Sequence, residues 1–296
     1  MRIVVSGASG LIGSALLPAL RAAGHEVLQL VRRDPAGPDE VRWDPGRGEL
    51  DPRDLAGVQA AINLSGAGVA DKRWTEEYKQ IIRSSRVDAT LTLVGALTRL
   101  DEPAATLLQG SAIGFYGNAN GDRILTERSP GGSDFLAGVV QEWESAAAEA
   151  ERAGMRVAYL RTGLVMAPHG GAFARVLPLF KLGLGGRLGS GRMWWSWITL
   201  PDHVAATRFL LDSDIAGPVN LVSPDPVTNA DFTSALGKAV NRPAVLPVPK
   251  PALNVALGEF SNDVLASHRV VPTLLQDAGF HYRHRCIEDG AGYLVS

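Results

Sequence analysis

Short apolar runs alternate with longer amphipathic stretches through the first two-thirds of the chain. The amphipathic stretches predict helices over 11–24, 75–100 and 133–152. Strands that are apolar on both faces and alternate with helices are typical of a parallel sheet covered on both sides. The runs that predict strands are RIVVSG (2–7), EVLQLVR (26–32), AAINLSG (60–66), TLLQGSA (106–112) and RVAYLRTG (156–163).

The pattern changes after about residue 165. Residues 170–198 are rich in glycine and aromatic side chains, VLPVPKPAL (245–253) is a proline-rich connector, and a mostly helical tail follows. We therefore predict a first domain over 1–165, which also receives segments around 192–222. Residues 166–191 and 223–296 are predicted to form a smaller, mostly helical C-terminal lobe on the substrate side.

A glycine-rich turn follows the first predicted strand. GASGLIG (7–13) places Gly7, Gly10 and Gly13 between a strand and a helix, where glycines allow a tight turn, approach of a pyrophosphate and close helix–strand packing. The amide groups that open the helix attract phosphate. We therefore predict a Rossmann-type doubly wound parallel sheet with a dinucleotide site. Its phosphate-binding residues are Gly7, Ser9, Gly10, Leu11, Ile12 and Gly13.

The end of the second strand indicates which dinucleotide binds. An acidic residue there suits the ribose 2′-hydroxyl of NAD, whereas an arginine suits the 2′-phosphate of NADP. The chain reads VLQLVRRD, so the strand ends in Arg32 and Arg33. Asp34 could pair with either arginine. Because a guanidinium binds phosphate well, we predict NADP as the cofactor and Arg32 as the residue that contacts its 2′-phosphate.

Composition and charge limit the classes of function and of ligand that this chain can have. The net charge is −2, and no run of Lys and Arg favours nucleic acid or an anionic membrane. Cys286 is the only cysteine, and the six histidines lack metal-ligand spacing, so we predict no disulfide and no metal site. No apolar stretch reaches about 18 residues, and no signal peptide is evident. We expect a cytoplasmic protein that acts on a small molecule.

With these residues in view, the chain resembles an atypical branch of the extended short-chain dehydrogenase/reductases, namely epimerase-like proteins of unknown substrate. The segments that carry the resemblance are INLSGAGVADKRWTEEYKQIIRSSRVDAT (62–90), SAIGFYG (111–117) and the block over 170–198. The tail over 247–282 resembles the C-terminal domain of unknown function of this branch. The resemblance covers almost the whole chain.

The resemblance implies further cofactor contacts. Leu64 and Ser65 match positions beside the cofactor ribose, Arg86 matches an arginine that reaches the cofactor, and Thr162 matches another contact position. WITLPDHV (197–204) fits a family pattern in which Thr199 replaces a usual histidine. Asp202 of the same pattern is expected to help close the small lobe on the large one.

The resemblance also raises a question about catalysis. Working members of the superfamily use a tyrosine, which transfers a proton, and a lysine four residues later, which lowers the tyrosine's pKa. At the spacing that the superfamily has after the motif ending in Tyr116, both positions fall in DFLAGVVQEWE (134–144). The tyrosine position is Phe135 or Leu136, and the lysine position is Val139 or Val140. None of these side chains transfers a proton.

Two hypotheses follow. In the first, the chain is an atypical NADP(H)-dependent reductase or epimerase-like oxidoreductase of a small carbonyl-type metabolite. Ser111 would polarise the carbonyl and Tyr116 would act as the acid, because both lie at the C-terminal end of the fifth predicted strand, where open α/β sheets bind ligands. In the second, the chain binds NADP(H) without catalysis, as a sensor or a partner-binding module. The sequence does not identify the substrate or the oligomeric state.

Overall fold

A computed structural model describes all 296 residues, and its largest element is a seven-stranded parallel sheet. The strands of this sheet are β1 (Arg2–Ser6), β2 (Glu26–Val31), β3 (Glu40–Arg42), β4 (Ala60–Asn63), β5 (Thr106–Ala112), β7 (Arg156–Thr162) and β11 (Gly217–Leu221). The short strands outside it are β6 (Ile124–Leu125), β8 (Leu164–Met166), β9 (Trp194–Trp195), β10 (Trp197–Thr199), β12 (Val227–Thr228) and β13 (Arg269–Val270), which form three two-stranded pairs.

Eleven α-helices accompany the strands. They are α1 (Leu11–Ala22), α2 (Glu76–Leu97), α3 (Phe135–Ser145), α4 (Ala148–Arg152), α5 (Gly171–Lys181), α6 (Leu200–Leu211), α7 (Asn229–Ala239), α8 (Lys250–Leu257), α9 (Ser261–Val264), α10 (Thr273–Asp277) and α11 (Ile287–Val295). Three short 3₁₀-helices lie at Pro52–Leu55, Ile113–Tyr116 and Gly258–Phe260. None of the helices is long and apolar enough to cross a membrane.

The strand order is β11-β7-β5-β4-β1-β2-β3. The chain builds outward from β1 to β3, returns to place β4 on the other side of β1, and continues to β11. This reversal between β1 and β4 creates the crevice in which open α/β sheets bind ligands. The predicted Rossmann-type doubly wound sheet is confirmed.

Two apolar layers cover the sheet. One joins buried side chains of the strands to those of α2 and α4, with Leu93 and Leu97 among its fully buried members. The other joins the opposite face to α1, α6 and α10, through Leu16, Leu20 and Leu210. Burial on both faces explains why the strands read as continuous apolar runs instead of alternating ones.

A third apolar cluster lies in the C-terminal part of the chain. It is built from α5, α7 and α11, and the rings of Phe173 and Phe232 stack within it at a centroid distance of 5.4 Å. The carboxylate of Asp202 in α6 accepts hydrogen bonds from the amides of Arg283 and His284, at 2.7 and 2.9 Å, and so fixes the tail to α6. The helical C-terminal region is confirmed, and the domain limits at 165, 191 and 222 stay predictions.

Three details differ from the sequence-based expectation. The strands β3 and β11 lie outside the predicted runs, because one has three residues and the other, GPVNL, is interrupted by polar positions. The helix predicted over 133–152 is broken into α3 and α4. At Ala147 the backbone switches to a three-residue bond with Glu144, and this tighter turn directs Ala147 and Ala150 into the core.

Candidate cofactor and active site

The glycine turn lies between β1 and α1, and its glycines meet different surroundings. Gly7 adopts φ +68°, and a Cβ there would lie 2.5 Å from the Leu64 carbonyl oxygen. A Cβ on Gly13 would lie 2.3 Å from the carbonyl oxygen of Gly7. A Cβ on Gly10 would meet only that same oxygen, at 3.2 Å. Gly7 and Gly13 therefore serve chain packing, and Gly10 leaves room for a ligand.

The N-terminus of α1 carries free donors. Gly10 caps this helix without any side-chain hydrogen bond, and the amides of Leu11, Ile12 and Gly13 have no acceptor within the chain. Such amides, together with the positive end of the helix dipole, bind phosphate groups. The first turn of α1 therefore has the chemistry that a pyrophosphate requires.

A buried polar network supports the turn from below. Asn63, at the end of β4, accepts from the Ser6 hydroxyl and donates to Thr90 Oγ1 and Gln109 Oε1, at 2.9 and 3.0 Å. Its side-chain oxygen also lies 3.3 Å from the amide nitrogen of Ser65. The network joins β1, β4, β5 and α2 and sets the path of the backbone after β4.

A cleft of about 620 Å³ opens above this network, at the carboxyl ends of β1, β2 and β4. Several predicted cofactor residues line it together, and Ser85 and Trp43 complete its walls. The predicted residues in its lining are Gly7, Ser9, Gly10, Arg32, Leu64 and Ser65. The predicted residues that do not line it are Leu11, Ile12, Gly13, Arg86, Thr162, Ser111 and Tyr116.

The two arginines after β2 have different surroundings. Arg33 forms a two-bond ion pair with Glu40, at 2.7 and 2.5 Å. The carboxylate of Asp34 pairs with Arg42 at 2.6 Å. It therefore forms no ion pair with Arg32 or Arg33, which the sequence had left open. Arg32 is exposed, lines the cleft and has no side-chain partner. It is therefore available to an anionic ligand.

Arg86 lies beside the cleft on α2. Its guanidinium packs over Gly66, where a Cβ would come within 3.0 Å of Cζ, and it lies 5.1 Å from the Trp143 ring centroid. It donates to the Ile82 carbonyl at 2.8 Å and has no carboxylate partner. Burial lowers the pKa of Arg86 to about 10. A partly buried arginine without an anionic partner favours a nearby anionic or strongly accepting ligand.

Ser111 and Tyr116 come together in a buried network. The Ser111 hydroxyl donates to Glu144 at 2.6 Å, and the Tyr116 hydroxyl donates to Asn220 Oδ1 at 2.6 Å. Arg161 joins the two, because it pairs with both oxygens of Glu144 at 2.9 Å and donates to Tyr116 at 3.2 Å. Burial raises the pKa of Tyr116. Both hydroxyls are directed into the protein.

The first turns of α3 present an apolar wall. Phe135, the first residue of this helix, packs edge-on against Trp74 at a centroid distance of 5.0 Å. Val139 is 1 % exposed and packs with Trp74, Tyr78 and Ile82. Phe260, in the 3₁₀-helix Gly258–Phe260, packs against this cluster, with its ring centroid 5.4 Å from that of Trp74.

Thr162 ends β7 in contact with a buried histidine. Its hydroxyl lies 3.1 Å from the Leu160 carbonyl and 3.0 Å from His203 Nε2. Burial lowers the pKa of His203 to about 4, so this imidazole is neutral at pH 7. The pair orients the Thr162 hydroxyl at the edge of the sheet.

Glu40, Trp43 and Pro45 are among the cleft residues that the sequence did not predict. They belong to β3 and the turn after it, and three residues are too few for a periodic signal. The alternation of polar and apolar residues in EVRWD (40–44) was the available sign of a strand.

The tryptophans of the 170–198 block have different surroundings. Trp197 is fully buried in the C-terminal cluster, whereas Trp194 stacks on Arg269.

Comparison with known proteins identifies the family. The family model described as NAD dependent epimerase/dehydratase matches residues 3–221. The chain belongs to this family. A second model, a domain of unknown function named DUF1731, matches residues 248–291. The resemblance found in the sequence is thus confirmed for both parts of the chain.

Individual relatives cover nearly the whole chain. The epimerase family protein Mb2239 of Mycobacterium bovis is 46% identical over 296 residues, covering 99% of this chain and 97% of its own length. The mouse epimerase family protein SDR39U1 is 35% identical over 287 residues and 95% of each chain. The crystal structure of human SDR39U1 with NADPH superposes with a TM-score of 0.91 at 30% identity, over 100% of this chain and 99% of that chain.

Proposed function

We propose that this protein binds NADP(H) in the cleft and works as an atypical reductase or epimerase-like oxidoreductase of a small carbonyl-type metabolite. The observation that carries the cofactor assignment is Arg32, an arginine without a partner where the 2′-phosphate of NADP would bind. The NADPH in the human SDR39U1 crystal structure supports the same cofactor.

The residues of the chain fit this cofactor. The amides of Leu11, Ile12 and Gly13 would hold the pyrophosphate, and Leu64 and Ser65 would line the ribose site. Arg86 would donate to the cofactor from α2, and Thr162 would contact it at the end of β7. Bound NADPH supplies a hydride to an electrophilic carbon.

In this proposal the usual tyrosine–lysine dyad is lacking, and Ser111 and Tyr116 take over the polar part of catalysis. Ser111 would polarise the substrate carbonyl and Tyr116 would donate the proton. Both hydroxyls have to exchange their present acceptors, Glu144 and Asn220, for the substrate. Arg161, which contacts both sides of this network, would stay in place and hold Glu144.

The experiment is a screen of small aldehydes and ketones for NADPH oxidation, with Ser111→Ala and Tyr116→Phe beside the wild type. We expect turnover with at least one substrate class, and a loss of about 10²–10⁴-fold in the Tyr116→Phe variant, as for removal of a general acid. NADPH affinity of Tyr116→Phe should stay close to wild type. Its unfolding temperature should fall, because Asn220 and Arg161 each lose a buried hydrogen-bond partner.

A second function is favoured by the inward direction of the two hydroxyls and by the apolar start of α3. In that case the chain binds NADP(H) without catalysis and acts as a sensor or through a partner. Tight NADPH binding with no turnover across the panel, and no effect of Ser111→Ala on binding, would support this second function and contradict the first.

A further inference from the structure

An ion pair forms part of the cleft wall beside Arg32. Arg33 Nη1 and Nη2 donate to the two carboxylate oxygens of Glu40, at 2.7 and 2.5 Å. Glu40 also accepts from the amide of Ala36 at 2.6 Å, and its side chain is 11% exposed, whereas that of Arg33 is 58% exposed. These bonds hold the pKa of Glu40 near 2, so it is ionised at pH 7.

The position of this pair matters because it lies on the same wall as Arg32. Arg32, Arg33 and Glu40 all line the cleft, and the β2–β3 register places Glu40 beside Gln29. Asp34 and Arg42 neutralise each other and do not line the cleft. The net charge of the wall is therefore that of Arg32 alone, since Arg33 and Glu40 cancel.

We propose that Glu40 is a specificity-determining residue: by holding Arg33, it limits the preference of this site for NADPH over NADH. The proposal rests on the cofactor assignment above. A carboxylate close to the ribose repels a 2′-phosphate and accepts a hydrogen bond from a 2′-hydroxyl, as the acidic residue of NAD sites does. Arg33 would otherwise be a second donor for the phosphate.

Opposite effects follow for the two partners of the pair. Glu40→Gln removes the negative charge and releases Arg33, so the wall carries two positive charges. We expect NADPH to bind about tenfold more tightly, and NADH to bind equally or more weakly. Arg33→Ala leaves Glu40 unpaired beside Arg32, so NADPH should bind about tenfold more weakly and the ratio should shift towards NADH.

The test is a fluorescence titration of each variant with NADPH and with NADH, at low and at high salt. Glu49→Gln is the control, because Glu49 lies in a weak surface pair with Arg47 and does not line the cleft. Thermal unfolding without ligand identifies any variant that is destabilised. The affinity difference between wild type and Glu40→Gln should shrink as salt rises.

Arg32→Ala separates this inference from the cofactor assignment. If Arg32→Ala weakens NADPH binding while Glu40→Gln leaves the NADPH-to-NADH ratio unchanged or lowers it, Glu40 does not limit specificity and only this inference fails. If Arg32→Ala changes neither cofactor, the assignment of the 2′-phosphate site itself is wrong. Opposite shifts in Glu40→Gln and Arg33→Ala would support the inference.

Discussion

Two regions at the carboxyl edge of the same sheet differ in what they offer a ligand. The turn after β1 presents free amides, and Gly10 leaves its space open. Arg32, after β2, lines the same cleft without a side-chain partner. The start of α3 presents Phe135 and Val139, which are already packed against the rings of Trp74 and Phe260. The first region has unpaired donors that can bind an anion. The space in the second region is occupied by packed apolar side chains of the protein. We therefore expect that binding of a dinucleotide and catalysis on it can be separated by substitutions in these two regions.

Gly10→Val tests the phosphate region most severely. The branched side chain would occupy the space into which Gly10 faces, so we expect cofactor binding to be abolished while circular dichroism and the unfolding temperature change little. The matched control is Gly95→Val in α2, where a Cβ meets nothing within 4 Å. Global unfolding of Gly10→Val alone would assign this glycine to folding only.

Val139→Lys tests whether the α3 region can regain a lysine. Burial disfavours the charged form, so the pKa of the introduced amine should fall below its ordinary ~10.4, and the variant should lose about 4 kcal/mol of unfolding free energy at pH 7. Because the unfolded chain binds more protons, this loss should diminish as the pH rises towards 10. The control is Leu91→Lys on the exposed face of α2.

Adding Phe135→Tyr to that variant is not expected to create activity, since a donor 1 Å out of place costs about a hundredfold. A loss of stability equal to that of Leu91→Lys would show that the site around Val139 is open enough to accept a charge. Denaturant titrations at pH 7 and pH 10 measure both outcomes.

Arg32→Asp probes the charge of the phosphate region. It removes charge-assisted bonds to the 2′-phosphate, so NADPH binding should weaken by about 1.5–3 kcal/mol while NADH affinity changes little. Arg128→Asp, at an exposed position without a side-chain partner, controls for net charge. An equal loss of both cofactors in calorimetric titration would make Arg32 a structural residue.

Arg86→Ala has the smallest expected effect. In the proposed function no lysine near α3 holds the ribose, and other residues, Arg86 and Thr162 among them, would hold the cofactor. The variant should therefore lose about 1–2 kcal/mol of NADPH affinity. Arg83→Ala, one turn earlier on α2, removes only an exposed pair with Glu142 and should leave binding unchanged. Equal effects of the two substitutions would remove Arg86 from the site.

The fold and the cleft residues after β1, β2 and β4 could be predicted from the sequence because their signals are local. The glycine turn, the arginines after β2 and the apolar strands each occupy a few consecutive residues. Glu40 could not be assigned, since its relation to Arg33 depends on the pairing of β2 with β3. The direction of the Ser111 and Tyr116 hydroxyls depends on Glu144, Asn220 and Arg161, which lie 33 to 104 residues from their partners.

The amide of Asn63 has a consequence for how this family can change. Its two donors and its acceptor all have buried partners in Ser6, Thr90 and Gln109. Replacing one member therefore removes a buried hydrogen bond from its neighbours, at about 1–3 kcal/mol for each group left unsatisfied. Replacing all of them with apolar groups of the same shape can be nearly neutral. We therefore expect strong epistasis, in which substitutions at these positions are tolerated together but not singly. Mutational scanning of single sites will then overestimate how strictly each residue is required.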